Sequence, residues 1–183
     1  MRIVGGKFRS RVLAEFKGDD VRPTSDRARE ALFNILYTKT INARVLDLFA
    51  GSGALGIESL SRGAKEVVFN DISKDSLAIL RKNLTALKVE IGREALLKNY
   101  DYSTCLDALS GDFDLIFLDP PYRFDYGIKA LEKIAKKGLL SKDGIVILEW
   151  DKPIECEVQG LEKYDERKYG KAYLTFFKKG EQA

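Results

Sequence analysis

The stretch VLDLFAGSGALGIESL, residues 45–60, decides the fold. It begins as a short apolar strand and passes into a helix through Gly51, Gly53 and Gly56, which are spaced as G-x-G-x-x-G. Asp71 follows Gly51 by 20 residues, at the end of the next predicted strand. This spacing is typical of loops that hold a dinucleotide at a helix N-terminus. The pattern alone leaves open whether the loop binds a dinucleotide, a different ligand or none.

Strands and helices alternate around this stretch. The pattern of apolar residues predicts strands over 43–49, 65–71, 94–99, 113–119 and 144–150. It predicts helices over 52–63, from Ser73 onward, near 104–110 and over 125–137. The last two strands, 161–168 and 171–179, flank Tyr169-Gly170 and predict a hairpin. We therefore expect an α/β fold: a doubly wound, mostly parallel seven-stranded sheet with an antiparallel C-terminal hairpin.

The chain before the first strand of the sheet has a different character. Residues 2–15 mix β-branched residues with a Gly-Gly turn, which predicts a small strand or a hairpin. A helix follows, for which Thr24 or Ser25 can serve as the N-cap. We expect residues 1–22 to form a small basic N-terminal extension and residues 23–183 to form the sheet domain.

The composition excludes several kinds of chemistry. The chain of 183 residues is 45% hydrophobic and 32% charged, which is typical of one globular domain. Because it has no histidine, Ser-His-Asp catalysis, Cys-His catalysis and histidine-ligated metal sites are excluded. Cys105 and Cys156 lie far apart and form no metal-binding or redox motif. With neither histidine nor a cysteine motif, we expect no metal. Since neither a signal peptide nor a membrane-length apolar run is present, we expect a cytoplasmic protein with no membrane partner.

Basic residues cluster in two parts of the chain, although the net charge is only +3. The N-terminal cluster has no acid among residues 1–11 and comprises Arg2, Lys7, Arg9 and Arg11, followed by Arg22, Arg27 and Arg29. The C-terminal cluster comprises Lys163, Arg167, Lys168, Lys171, Lys178 and Lys179, beside Asp165 and Glu166. Aromatic residues interleave with both clusters, which favours a polyanionic partner. A merely solvated charged surface is the alternative.

The position of Asp47 distinguishes between ligands for the glycine loop. This acid ends the first strand, four residues before Gly51. Like charges about 4 Å apart repel by about 4 kcal/mol at an effective dielectric near 20, so Asp47 disfavours the pyrophosphate of NAD. S-adenosylmethionine has no phosphate; Asp47 can hold its ammonium, and N–H groups at the helix N-terminus can hold its carboxylate. Asp71 can accept both ribose hydroxyls, which the two cofactors share.

We therefore expect S-adenosylmethionine as the cofactor, with NAD and a tight turn without ligand as the alternatives. Gly51 and Gly53 allow the backbone to approach a ligand closely. The candidate contacts come from the end of the first strand, the glycine loop and the end of the second strand. They are Asp47, Leu48, Phe49, Ala50, Gly51, Ser52, Gly53, Asp71 and Ile72.

A second motif, Asp119-Pro120-Pro121-Tyr122, ends the fourth predicted strand. The two prolines stop the strand and cannot donate hydrogen bonds, so the loop presents the Asp119 carboxylate and the Pro120 carbonyl as acceptors. Tyr122 adds a flat face for stacking. Two acceptors that grip the N–H bonds of a planar amine free its lone pair, and a sulfonium methyl held nearby can transfer in line. The four residues are candidate catalytic residues for methylation of a base amino group; a purely structural turn is the alternative.

These motifs resemble those of a known family. DLFAGSG resembles motif I of the Rossmann-like, class I S-adenosylmethionine-dependent methyltransferases, and DPPY resembles motif IV of those that methylate amino groups. Together with RIVGGKFRSRVL, RPTSDRAREALFNIL, GSGALGIESLSRGA and FDLIFLDPPY, they make nearly the whole chain similar to the RsmD family. Members of that family are 16S rRNA (guanine(966)-N(2))-methyltransferases.

The resemblance implies transfer of a methyl group from S-adenosylmethionine to the exocyclic N2 of guanine 966 in the 16S rRNA of the small ribosomal subunit. It places an adenine-contacting acid after the third strand, at Asp101, with Asn99 or Asp107 as alternatives in another register. It gives the N-terminal extension the role of RNA contact, for which the candidates are Arg2, Lys7, Arg9, Arg11 and Arg22. We also expect a monomer.

Two other functions remain open at this point. An adenine-N6 methyltransferase acting on DNA or RNA would use the same DPPY geometry, although such enzymes often carry a separate target-recognition region, for which this short chain leaves little room. A non-catalytic ribosome assembly factor with a methyltransferase fold is the other alternative. The two intact motifs argue against it.

Overall fold

The structure, a computed structural model, describes residues 1–15, 26–121 and 125–180. Its strands are β1 (Arg44–Asp47), β2 (Glu66–Asn70), β3 (Ala95–Lys98), β4 (Phe113–Leu118), β5 (Leu140–Trp150), β6 (Leu161–Tyr169) and β7 (Ala172–Lys179). Its α-helices are α1 (Asp26–Leu36), α2 (Ala54–Ser61), α3 (Lys74–Ala86), α4 (Tyr102–Ala108) and α5 (Tyr126–Lys137). No helix in these ranges combines the length and the apolarity that crossing a membrane requires.

The strands form one seven-stranded sheet in the order β3-β2-β1-β4-β5-β7-β6. The first five strands pair in parallel, whereas β7 pairs antiparallel with both β5 and β6. Because β1 lies between β2 and β4, the order of strand addition reverses there, and a crevice opens outside the carboxyl ends of β1 and β4. The predicted mostly parallel sheet with an antiparallel C-terminal hairpin is confirmed.

Each central strand serves two separate hydrophobic cores. On β1, Val45 belongs to the core that includes apolar residues of α1, α2 and α3, and the next residue, Leu46, belongs to the core that includes those of α4 and α5. On β4, Phe117 and Leu118 divide in the same way. The alternation arises because successive side chains of a strand point to opposite faces of the sheet. Helices therefore cover both faces, as the doubly wound prediction requires.

Three of the differences between the observed and the predicted bounds have a local structural cause. β5 begins at Leu140, not at residue 144, because a register shift between Phe113 and Leu115 lets the strand pair further back along β4. α2 begins at Ala54 because Gly53 takes a left-handed φ of 90°. α4 spans 102–108, not 104–110, because Asp101 caps its N-terminus.

The N-terminal segment forms a short antiparallel hairpin, whose arms are joined by backbone hydrogen bonds from the Ile3 N–H to the Arg11 carbonyl at 3.0 Å and from the Leu13 N–H to the Met1 carbonyl at 2.9 Å. A single isolated bridge joins Arg2 and Val12, and a 3₁₀ turn, Gly6–Phe8, reverses the chain between them. The predicted helix caps, Thr24 and Ser25, lie outside the described residues.

The loop is held mainly by side chains of α2. Glu58, which is 1% exposed, accepts a hydrogen bond from the backbone N–H of Val4 at 2.9 Å, and the Ser61 hydroxyl accepts one from Phe8 at 2.9 Å. The extension is thus fixed to the helix that follows the glycine loop. This attachment adds to the backbone bonds between the two arms, and together they give so short a segment a defined shape.

Candidate active site

Acidic side chains from four neighbouring strands lie at the carboxyl edge of the sheet. Asp47 ends β1, Asp71 follows β2 and Asp119 follows β4, as the sequence predicted. Glu149 lies near the end of β5; because Leu118 pairs with Leu148, Glu149 is level with Asp119 on the adjacent strand. Electrostatic interactions link Asp47 with Asp71, and Asp119 with both Glu149 and Asp47. The crevice at the strand ends is therefore strongly acidic.

Asp47 is almost completely removed from water, at 2% exposure. Its Oδ2 accepts a hydrogen bond of 2.9 Å from the backbone N–H of Gly56 in α2. Burial raises the pKa of Asp47 from 3.8 to about 7; the Gly56 N–H opposes the rise and the charge of Asp71 adds to it. The sequence predicted this acid at the strand end, but only the structure shows that it titrates near neutrality.

Asp119 lies partly buried at the end of β4. Burial raises its pKa well above the usual range, and the nearby carboxyl groups of Glu149 and Asp47 raise it further. Carboxyl groups in this arrangement resist ionising together, and a cation among them relieves their repulsion. The edge of the sheet therefore favours a positively charged ligand.

The glycine loop has the shape that a ligand requires. Gly51 has a φ of 53°, and a side chain added there would meet nothing within 4 Å, so its α-carbon faces open space. At Gly53, with a φ of 90°, an added side chain would collide with Leu80. The loop is thus open on one side and packed against α3 on the other, which holds its backbone N–H groups in place.

Asp71 fixes the conformation of this loop. One carboxylate oxygen accepts a hydrogen bond from the Gly51 N–H at 2.8 Å, and the other accepts one from the Ser73 N–H at 2.8 Å. The next residue, Ile72, is 72% exposed, which is unusual for a large apolar side chain and leaves it available to a ligand at the same edge. Both predicted contacts from the end of the second strand therefore lie beside the loop.

The third glycine of the motif has a packing role. A side chain at Gly56 would collide with the ring of Phe69 on β2, so the residue permits α2 to lie directly against the sheet. This close approach brings the Gly56 N–H to Asp47. The glycine spacing thus serves helix–strand contact as well as ligand approach.

Two buried asparagines hold the site together and were not predicted. Asn70 donates to the backbone carbonyls of Leu48 and Tyr100, at 3.1 Å each, and so connects the ends of β1, β2 and β3. Asn83, on α3, donates to the carbonyls of Ser52 and Ala14, at 3.0 Å each, and accepts from the Ala14 N–H at 2.8 Å. For Asn83, the available signal was a polar residue on a helix face that is otherwise predicted to be apolar. For Asn70, the available signal was its position directly before Asp71, at the end of a buried strand.

Glu149 was also missed by the sequence analysis. It is 7% exposed, and it is the acid in the otherwise apolar strand GIVILEW. A charged residue at the end of a buried strand is the signal that could have identified it, because such residues are rarely buried without a partner or a role.

The acid after β3 has a structural role that the sequence did not predict. Asp101 is exposed, and its Oδ1 accepts hydrogen bonds from the N–H groups of Ser103 and Thr104 at 3.0 Å each, which caps α4. The Thr104 side chain and then these N–H groups lower the pKa of the carboxyl. The register alternatives are bound elsewhere: Asn99 donates to the carbonyl of Asp71 at 2.8 Å, and Asp107 pairs with Lys133 at 2.6 Å.

The DPPY loop is described up to its second proline. Pro120 is buried and Pro121 is exposed, whereas Tyr122 lies outside the described residues. On the other side of the crevice, the half-buried ring of Phe49 lies 5.8 Å from that of Tyr102, which lies 5.1 Å from that of Tyr126. These rings continue from the glycine loop to the start of the helix that follows the DPPY loop.

The candidate RNA-contacting residues lie mostly on the surface. Arg2, Lys7, Arg9 and Arg11 are exposed, and Arg22 lies outside the described residues. Lys7 is 3.6 Å from Glu94, which directly precedes β3, so the tip of the loop lies at the amino edge of the sheet, opposite the acidic crevice. Arg29, also grouped with the basic surface, is instead 1% exposed; it donates to the Arg2 carbonyl at 2.6 Å and so holds the extension.

Other reactive groups contribute little to the site. Among the residues with described positions, no group of three or more cysteine, aspartate or glutamate side chains has a metal-binding arrangement. Burial raises the pKa of Cys105 to about 11, so this thiol is a poor nucleophile at neutral pH.

Comparison with known proteins agrees with this architecture. A family model described as "Conserved hypothetical protein 95" matches residues 1–178. The Ribosomal RNA small subunit methyltransferase D of Haemophilus influenzae is 35% identical over 157 residues, which are 83% of this chain and 79% of that protein.

Two solved structures extend the comparison to the fold. The structure of yhhF from Escherichia coli has a TM-score of 0.86 and 31% identity, and covers 100% of this chain and 99% of that one. The structure of SMU.776 in complex with SAH has a TM-score of 0.65 and 18% identity, and covers 89% of this chain and 52% of that one. The second likeness concerns the fold alone.

Proposed function

The chain belongs to the Conserved hypothetical protein 95 family, as its resemblance to the RsmD family indicated, and from that premise we propose that it is an S-adenosylmethionine-dependent rRNA methyltransferase. We propose further that it methylates the exocyclic N2 of guanine 966 in 16S rRNA, the reaction that the family resemblance implies. The observation that carries the proposal is the arrangement of Asp47, Asp71 and Asp119 around an open glycine loop, at the carboxyl edge of a doubly wound sheet.

The residues at this edge fit S-adenosylmethionine. The ligand carries an ammonium and a sulfonium, and the clustered carboxyl groups favour positive charge. The open side of Gly51 leaves room for it, and a relative in fold, SMU.776, was solved with SAH. The proposed contacts are Asp47, Leu48, Phe49, Ala50, Gly51, Ser52, Gly53, Asp71, Ile72 and Asp101. For Asp101, contact with the adenine would use the carboxylate oxygen that is not already bonded to α4.

The same arrangement disfavours NAD. A pyrophosphate beside Asp47 would meet a carboxyl group that is already costly to ionise, next to Asp71. Each further negative charge raises that cost. The acidic edge therefore supports the choice of a cationic cofactor.

S-adenosylmethionine, when bound, supplies an electrophilic methyl group on sulfur. The chain's own task is to present the base amine to it. The Asp119 carboxylate and the Pro120 carbonyl accept the two N–H bonds of the amine, which localises the nitrogen lone pair and fixes its direction. The nitrogen forms its bond to the methyl carbon as the sulfur–carbon bond breaks, and the nitrogen then loses one proton. Because the pKa of Asp119 is raised, its ionised form is a stronger base than an ordinary aspartate and can take that proton.

The first prediction concerns Asp119. Asp119→Asn keeps the shape of the side chain but loses an acceptor and the base, so we expect methyl transfer to fall at least about 100-fold, while SAH binding is retained and the thermal midpoint does not fall. The assay uses methyl-labelled S-adenosylmethionine and small ribosomal subunits from cells that lack the enzyme.

Asp143→Asn is the matched control, since this exposed acid lies on β5 at the opposite edge of the sheet. We expect it to transfer methyl groups at the wild-type rate. Near-normal turnover by Asp119→Asn would remove Asp119 from the mechanism.

A further inference from the structure

The turn between β6 and β7 lies at the catalytic edge of the sheet. β5 runs parallel to β4, and its last residue, Trp150, pairs with Tyr173 at the start of β7, which pairs with Lys168 on β6. Since Leu118 pairs with Leu148, Trp150 is level with Pro120. Adjacent strands are about 4.8 Å apart. Measured across the sheet from the backbone of Pro120, the backbone of Tyr173 therefore lies about 10 Å away and that of Lys168 about 15 Å away.

The charges of the C-terminal hairpin are unevenly balanced. Three basic residues of the hairpin are paired with acids: Lys163 with Glu166, Arg167 with Asp165 and Lys178 with Glu162. Lys168 and Lys171, at the turn, are exposed and form no ion pair within residues 1–15, 26–121 and 125–180. Of the hairpin lysines outside these pairs, Lys168 and Lys171 thus lie at the end beside the active site, and Lys179 lies at the other end.

The turn also forms an open cleft. A space of about 400 Å³ is lined by Asp151, Lys168, Gly170, Lys171 and Tyr173. The ammonium of Lys168 lies 5.2 Å from the centre of the Tyr173 ring, so the lysine is held over an aromatic face. Lys152, the exposed residue after Asp151, adds a further cation at the same end of β5. The cleft therefore combines two lining lysines and an aromatic face with a single acid.

We infer that this cleft, formed by the β6–β7 turn, is a second RNA-binding surface, which holds the phosphate backbone of nucleotides next to the target base. The inference rests on the proposed function. Lysines at the rim suit phosphate groups, and the ring of Tyr173 suits a base or ribose that leaves the stack as the target amine enters the crevice.

The location of the surface gives it a distinct role. The tip of the N-terminal loop, with Lys7, is near the amino edge of the sheet, whereas the β6–β7 turn lies at the carboxyl edge with Asp119. An RNA contact at the carboxyl edge positions the nucleotide that reacts, whereas a contact at the amino edge adds affinity from a distance. RNA is favoured over a protein partner because the exposed groups of the cleft are cationic and aromatic rather than aliphatic.

The test is the double variant Lys168→Glu/Lys171→Glu, compared with Lys136→Glu/Lys142→Glu. The control makes the same change in net charge with exposed lysines outside both basic clusters, in the last turn of α5 and near the start of β5. Two readouts are taken for each: affinity for protein-free 16S rRNA and for small ribosomal subunits, and methyl transfer to the subunits. SAH affinity and the thermal midpoint report on folding.

We expect the turn variant to bind both RNA probes about tenfold or more weakly than the control, with SAH affinity unchanged. The slope of log affinity against log salt concentration is expected to fall by about two. Equal binding by the two variants would overturn the inference. Loss of subunit binding with intact binding to protein-free rRNA would also overturn it, since the surface would then contact a ribosomal protein.

The same measurements distinguish a failure of the proposed methyltransferase function from a failure of the proposed RNA-binding surface. If the wild-type protein binds RNA through the turn but transfers no methyl group to subunits, the surface is supported and the enzymatic role is contradicted. If the wild-type protein methylates subunits and the turn variant does so with an unchanged KM, the enzymatic role is supported and the surface is contradicted.

Discussion

At the scale of single residues, the site is governed by carboxyl groups that are costly to ionise. Asp47 is buried at the end of β1, and its pKa rises from 3.8 to about 7 because burial disfavours its charged form. The protonated form therefore stabilises the folded state relative to the ionised form. The ionised form of Asp47 thus lowers the stability of the folded state, but it places a negative charge where the proposed cationic cofactor binds.

Asp47 gives a prediction about pH. Because its folded pKa is raised, the stabilisation from the neutral form is complete below pH 3.8, and is lost as the pH rises through about 7. Replacement by asparagine, which still accepts from the Gly56 N–H, avoids that loss. We expect Asp47→Asn to raise the free energy of unfolding above pH 7 by up to about 4 kcal/mol, and by little near pH 4.

Denaturant unfolding of the ligand-free protein between pH 4 and pH 9 measures this effect. SAH carries the same ammonium as S-adenosylmethionine, so its binding at pH 8 is expected to weaken about tenfold in the variant, which separates stability from affinity. Parallel stability curves for wild type and Asp47→Asn would show that the buried carboxyl does not titrate as proposed.

The sequence pattern predicted where the residues of the candidate site lie, but it did not predict the hydrogen bonds that these residues form. The positions of Asp47, Asp71 and Asp119 follow from strand ends in a parallel sheet, which the apolar pattern shows directly. The capping bonds of Asp101 and the network of Asn70 depend on which backbone groups meet across strands. Such contacts join residues that are far apart in sequence, so no local residue spacing predicts them.

At the scale of elements, one side chain of α3 connects two functional segments. Asn83 bonds to Ala14 of the N-terminal extension through both its oxygen and its nitrogen, and also to the carbonyl of Ser52 in the glycine loop. It is 3% exposed, so its loss leaves backbone groups without partners in a dry environment. The N-terminal extension and the glycine loop therefore share one support.

Asn83 gives a prediction about coupling. We expect Asn83→Ala to lower the free energy of unfolding by about 2 kcal/mol and to weaken SAH binding, because the glycine loop loses a fixed contact. Asn34→Ala, at an exposed position on α1, is the control and is expected to change neither quantity. Calorimetry with SAH and denaturant unfolding provide the two measurements; a stability loss with unchanged SAH affinity would show that the loop does not depend on Asn83.

The elements themselves were largely predictable, and their ends were less so. The parallel strands were anticipated because buried parallel strands are continuous apolar runs, and the antiparallel pair β6 and β7 was anticipated from the turn at Tyr169-Gly170. The early start of β5 at Leu140 was not, because residues 141–143 are polar and join the strand only through the register shift opposite β4. In the N-terminal extension, backbone bonds such as that from the Ile3 N–H to the Arg11 carbonyl join the two arms, and bonds to Glu58 and Ser61, which no local pattern indicates, fix them to α2.

At the scale of the whole molecule, the tip of the N-terminal loop and the β6–β7 turn lie at different edges of the sheet. The N-terminal loop reaches Glu94 at the amino edge, and the β6–β7 turn lies beside the acidic crevice at the carboxyl edge. An RNA substrate that contacts both would pass over one side of the domain from edge to edge. This distribution follows from topology: the antiparallel β7 returns the C-terminal turn to the edge where the parallel strands end.

The central claim is that this acidic crevice methylates the N2 of a guanine in small-subunit rRNA. The most direct test mixes the protein and methyl-labelled S-adenosylmethionine with small ribosomal subunits from cells that lack it, digests the RNA and identifies the labelled nucleoside by mass spectrometry. We predict N2-methylguanosine from a single site, guanine 966. N6-methyladenosine would contradict the base assignment, and an absence of label despite bound cofactor would contradict the enzymatic role.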